Sequence, residues 1–157
     1  MIKHILSATV IFLGLSACQN QTHIVSNEQL IGRWHVDVVL DTPTINNSPA
    51  NIVFAQHGEL SGNNSCNQFL GRYAQQGHRL QIAPSGSTMK ACVDSLMAQE
   101  AELMQAIAQV QQLDFSKGKL KLLSENGDTL LVLTKQSSPL SIYNTSLDKV
   151  SINTAPY

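Results

Sequence analysis

A chain of 157 residues with 43% apolar and 13% charged side chains has the length and composition of one globular domain, long enough to bury a core without help from a metal. The formal charge is −1 and the arginines (Arg33, Arg72, Arg79) are scattered, which excludes the clustered cations that a nucleic-acid surface needs. Aromatic residues make up 5%, too few for a base-stacking platform.

Residues 1–17 have the layout of a secretory signal. Lys3 and His4 form a short basic start, and Ile5 to Leu15 is an apolar run too short to span a bilayer as a conventional helix. The run ends in Leu15-Ser16-Ala17-Cys18, which resembles the bacterial lipobox: two small residues for the peptidase cleft, then a thiol to carry lipid. The alternative is an ordinary signal peptide with a chance cysteine. Gln19, rather than Asp, follows the cysteine, which resembles lipoproteins released to the outer membrane. The expectation is a mature protein anchored to the outer membrane through lipid on Cys18, with its domain facing the periplasm. Two or more acyl chains make such an anchor stable, at about 0.8 kcal/mol per buried CH₂. Loss of Lys3 with the leader leaves nine basic against eleven acidic residues, a net −2. Residues 18–27 are polar and read as a tether.

From Trp34 the chain alternates with period two, placing Trp34, Val36 and Val38 on one face of a strand and His35 and Asp37 on the other. Residues 41–49, rich in Thr, Asn and Pro, read as a loop. Ile52-Val53-Phe54 is a second strand, and Gln56-His57-Gly58 turns it into a third around Glu59-Leu60-Ser61. Residues 69–74 and 79–83 flank Gln75-Gln76-Gly77-His78, a hairpin signal. The period then becomes helical: Leu96, Glu100, Leu103, Ile107 and Val110 recur, Met97 and Met104 widen the stripe, and Asp94 or Ser95 is the expected N-cap. The stripe is most simply core packing. Alternation returns through Leu113 and Phe115, and strands at 119–123 and 129–134 are joined by Glu125-Asn126-Gly127-Asp128. A polar tail, 136–157, closes the chain. About eight short strands and one helix predict a mainly β fold: a small antiparallel β-barrel-like or curled sheet closed by an α-helix.

With these residues in hand, the chain resembles the META domain, or HslJ-like, family. The features that carry the resemblance are Leu30-x-Gly32-x-Trp34, the central Gly62-x-x-x-Cys66-Asn67-x-Phe69-x-Gly71-x-Tyr73, Thr88-x-x-Ala91-Cys92, the helix, and Lys119-Leu120-x-Leu122 with its partner strand. It covers residues 28–135. Ser65 stands where the family often has Gly, and Lys90 where Met is common. The resemblance implies a small β-barrel-like domain, often located in the envelope and linked to heat-shock or drug-stress phenotypes. It implies structural roles for Gly32, Trp34, Gly62, Asn67, Phe69, Gly71, Tyr73 and Thr88, and no established catalytic residues.

Cys66 and Cys92 could be a nucleophile, a metal pair or a disulfide. A nucleophile needs a base, and His35, His57 and His78 have no fixed spacing to either cysteine. A zinc site from His57, Cys66, His78 and Cys92 matches no compact ligand pattern. In an oxidising envelope compartment, a Cys66–Cys92 disulfide is the simplest use of the pair. Asp37 and Glu59 are lone carboxylates on strand faces. Glu100 sits in the apolar stripe, either lining a cavity or lying at its edge, with the edge preferred. Ser61, Ser65 and Ser87 lack a nucleophile-elbow context. The reading is a binding protein rather than an enzyme, without cofactor or metal. It would support stress tolerance by engaging an envelope protein or a small apolar ligand, at the open end of the sheet or through loops 41–49 and 84–90. The alternatives are a cysteine-dependent or other hydrolase, and an inhibitor of an envelope hydrolase.

Overall fold

Among the described residues, alternating apolar residues broken by tight turns give nine antiparallel strands whose first and last members also pair. The computed structural model describes residues 27–137; the leader, Cys18, all of the tether except Asn27 and the tail beyond residue 137 lie outside the described residues. In chain order they form α1 (Asn27–Leu30), β1 (Gly32–Val39), β2 (Thr42–Pro43), β3 (Asn51–Phe54), a 3₁₀ turn (Gln56–Gly58), β4 (Glu59–Asn63), β5 (Gln68–Gln76), β6 (Arg79–Ser87), α2 (Asp94–Gln109), β7 (Gln112–Ser116), β8 (Lys119–Leu123) and β9 (Thr129–Lys135). The sheet order is β2-β1-β3-β4-β5-β6-β7-β8-β9, and the β1–β9 pairing bonds it into a ring. The ring is thinnest where β6 meets β7, through the single pair Arg79 and Gln112. Here α2, which links these two strands, packs against β6, β9 and β1.

The mainly β architecture with one long helix follows the sequence pattern, and three local departures have physical causes. The first is in β1. Its partner register on β9 shifts between Val36 and Val38, so a bulge changes the phase: Val39 is buried and Val38 only half-buried. The second is in the 41–49 loop, where Thr42 and Pro43 form a two-residue strand against Val38 and Val39. The third is in α2. Its N-cap is Val93 in extended conformation, with no side-chain capping bond, and Asp94 is the first helical residue. Neither Asp94 nor Ser95 caps, although the Asp94 carboxylate still faces the positive end of the helix dipole.

The inward face of α2 is also rotated relative to the expected stripe. Gln99, Leu103, Ala106 and Ile107 are its buried residues, followed by Val110, whereas Leu96 and Met104 are half-buried and Met97 is exposed. Inside the ring, Trp34, Phe54, Phe69, Leu80, Leu113, Leu120, Leu122 and Leu131 are fully buried with Leu103 and Ile107. The open end is therefore filled by side chains, with α2 completing the core.

Candidate functional site

One end of the ring gathers the 44–48 loop, the 64–67 connection between β4 and β5, the 88–92 segment and the first turns of α2. Asn67 joins three of them. Its side-chain oxygen accepts from Thr88 Oγ1 and from the Lys90 backbone N–H, both at 2.7 Å. Its amide nitrogen donates to Glu100 at 3.0 Å and to the Lys90 carbonyl at 3.3 Å. Asn64 Nδ2 donates to the same carboxylate at 2.9 Å, while Asn64 Oδ1 accepts the Asn67 N–H. Thr88 Oγ1 in turn accepts the Gln68 N–H. The Cys66–Cys92 disulfide crosses the same place, linking residues 26 apart. Asn64 and Asn67 are buried. A buried polar group stays favourable only when its partners are present, so this network fixes one geometry.

A second knot lies beside it. Gln99 Oε1 accepts the Ile45 N–H at 2.7 Å, and Gln99 Nε2 lies 2.6 Å from both Ser48 Oγ and Ser65 Oγ. Ser65 has φ +102°, in the region that favours glycine. Ser65 thus bears backbone strain and uses its hydroxyl to meet Gln99. Neither Gln99 nor Ser48 stood out in the sequence, since an isolated polar residue at helical spacing looks like a solvated one.

The remaining motif residues pack. Trp34 is buried, donates from Nε1 to the Leu30 carbonyl at 2.8 Å and meets Phe115 edge-on. Lys135 Nζ lies 5.2 Å from the centre of the Trp34 ring, and a Cβ on Gly32 would come within 3.1 Å of the Lys135 chain. Tyr73 stands edge-on to Phe54 and donates to the Ala55 carbonyl at 2.7 Å; burial raises the pKa of its phenol. Gly62 lets two elements close: a Cβ there would lie 2.2 Å from the Asn51 carbonyl oxygen and 2.7 Å from the Phe69 ring. At Gly71 a Cβ would meet the Ala83 carbonyl oxygen at 2.6 Å.

The alternatives for the cysteines are narrowed by the disulfide, which leaves neither sulfur as a thiolate for nucleophilic attack or zinc. Among the described residues, no three His, Cys, Asp or Glu side chains group as metal ligands would. His57 sits at φ +61° in its turn, and His78 Nδ1 lies 3.3 Å from the Leu113 carbonyl, in different parts of the ring. Glu100 lies half-buried at the edge of the buried helix face, as preferred, and there it anchors α2 to the Asn64–Asn67 turn. Asp37 accepts from Lys119 at 2.7 Å and from Thr134. Ser61 stands on β4, and Ser87 donates to the Thr88 carbonyl.

This end exposes four large apolar side chains among polar ones such as Asn46, Lys90 and Asp94. Met89 is 98% exposed and Val93 66%, with Met97 and Ile45 also exposed. Val93 and Met97 share a helix face, since the Met97 N–H bonds the Val93 carbonyl. The described chain begins and ends elsewhere. Asn27 Oδ1 is 3.5 Å from the Tyr73 hydroxyl, and the Gln136 N–H bonds the Arg33 carbonyl, both at the opposite end of the ring.

A family model described as META domain matches residues 28–137. Among solved structures, a protein from Burkholderia xenovorans determined by NMR is 18% identical with a TM-score of 0.59, the match covering 88% of this chain and all of that one. A second NMR structure is 22% identical with a TM-score of 0.55, covering 71% of this chain and 96% of the other. A DUF4847 family protein from Bacteroides vulgatus is 17% identical with a TM-score of 0.50, covering 69% and 96%. At these identities the likeness is one of fold. No curated protein is similar enough to the chain to match it.

Proposed function

The chain belongs to the META domain family, and from that premise we propose that it is a lipid-anchored protein of the cell envelope that acts by binding another protein, not by turnover. The observation that carries this is the pairing of exposure with rigidity at the loop end. Met89 and Val93 flank Lys90 and Cys92, which the Asn67 bonds and the disulfide hold in place. Exposed apolar side chains on a fixed frame suit a protein interface, where methionine is enriched and little ordering cost remains. Because the interior is filled by side chains, a protein surface is favoured over a small apolar ligand. The lipobox at Leu15–Cys18 supports the anchor, and the family resemblance supports a role in stress tolerance.

The test replaces Met89 and Val93 together by serine in the full-length protein. Tolerance of heat or drug challenge should be lost, as should site-specific cross-linking from the neighbouring position 90, while the melting temperature stays within about 2 °C, as expected for surface changes. A double variant that keeps full function would refute the loop-end interface. Cys18→Ser should leave the precursor unprocessed or release the domain from the membrane fraction. Cleavage and membrane association as before would refute the anchor.

A further inference from the structure

We propose that the free edge of β6 takes up an extended, carboxylate-bearing segment of a partner protein as an added strand, seated between β6 and α2; this rests on the reading of the domain as a binding protein and names a second contact for it. β6 pairs with β5 along its length but with β7 only at Arg79. Beyond that point its outer edge faces no strand among the described residues. The direction of its backbone groups follows from the ladder. Leu80 donates outward to the Gln111 carbonyl at 3.0 Å, and groups two residues apart on a strand point the same way. The N–H and C=O of Ile82 therefore point outward, and neither has a partner among the described residues. Pro84, next in that row, has no N–H to offer, and proline within a sheet is confined to such edges. The row thus presents one donor and two acceptors to an incoming chain, the requirement for strand addition.

A groove of about 450 Å³ runs beside this edge, lined by Arg72, Ala74, Ile82, Ala83, Ala108 and Val110 among others. The alanines on both walls leave room for a peptide backbone, and Ile82 and Val110 offer apolar contact to alternate side chains. Charge selects the occupant. No carboxylate lines the groove and Arg72 does, although its Nη2 donates to the His57 carbonyl and Glu59 is its register partner on β4; the adjoining recess holds Arg79 and His78 with Glu125. A second copy of this chain pairing edge to edge would set these arginines against their own counterparts. An acidic partner segment would meet them with opposite charge.

The experiment uses the mature protein in detergent and a fluorescein-labelled heptapeptide of alternating valine and glutamate, capped at both ends. Saturable binding is expected, with hydrogen exchange of the Ile82 amide slowed about tenfold or more as it gains a partner. Replacing the glutamates by lysine, N-methylating the peptide at its central residue, or introducing Ile82→Pro or Arg72→Glu should each weaken binding about tenfold or more. Arg72→Glu serves where Ile82→Pro does not fold. The Met89 and Val93 double variant should bind the peptide as the parent does, so failure at the edge and failure at the loop end are separable. Absence of saturable binding overturns the proposal. So does equal binding of the lysine peptide, or binding unchanged in a folded Ile82→Pro protein. Self-association that the peptide competes away and Ile82→Pro abolishes would assign the edge to a second copy and overturn the occupant proposed.

Discussion

Ser65 carries two opposed effects in one residue. Its φ of +102° costs a non-glycine residue about 1–2 kcal/mol, while its hydroxyl provides one of two acceptors for the Gln99 amide. Ser65→Gly removes both, so stability should change by less than about 1 kcal/mol. Ser65→Ala keeps the strain and loses the acceptor, and should cost about 1–3 kcal/mol. Urea unfolding of the two variants measures the difference, and equal losses would show that the backbone there is unstrained. Asp37 makes a separate prediction. Burial, the largest influence on its carboxyl, raises the pKa; bonds from Lys119 and Thr134 and the nearby positive charge outweigh it and hold the group below the usual aspartate value. A lowered folded pKa gives stability that is complete above about pH 3.9 and fades as pH falls through the folded value. Both partners are partly exposed, at 45% for Lys119 and 26% for Asp37, so the contribution is at most about 1 kcal/mol. Unfolding midpoints between pH 2 and 7 should show that acid limb in the parent and a shallower one in Asp37→Asn. Identical limbs would remove the carboxylate from the account.

Among elements, the segment running from Cys66 through β5 and β6 to Cys92 is closed by its disulfide. In the chain-entropy account a loop of about 27 residues gives roughly 3–4 kcal/mol. Cys66→Ala should lower the melting temperature by several degrees and make it insensitive to reductant, whereas the parent should lose a similar amount on reduction. Two alkylatable thiols in unreduced protein would contradict the bridge. The sequence disclosed these elements unevenly. Strands with alternating residues and Asn-Gly or Gln-Gly turns were legible because turn chemistry and period agree, as in β8 and β9 around Gly127. The switch from Val38 to Val39 was not, because a bulge is a property of two strands in register and β9 lies about 95 residues away along the chain. The Met97 error has a similar cause. Period alone gives a stripe, and only tertiary packing decides where its centre falls, here on Gln99, Leu103 and Ala106.

At the level of the whole molecule, the motif residues revealed the family but not the end they build. Asn67 and Thr88 stood out as motif positions, yet their partners Asn64, Lys90 and Glu100, and the Gln99 knot with Ser48, come from segments up to 51 residues apart. The helical period singles out Glu100, but nothing in composition or period marks Asn64, Gln99 or Ser48 as buried by such distant neighbours. The ring closure carries a mechanical consequence. β1 and β9 lie antiparallel with the two ends of the described chain leaving side by side, next to the pair Trp34 and Lys135. Pulled apart by those ends, the domain would unzip, its β1–β9 bonds carrying load one rung at a time. Held instead by its entry strand and loaded at Met89, it would transmit force along the strands, so that many rungs resist together in shear. A domain tethered through its first strand and gripped at its loops is thus loaded along its strong axis.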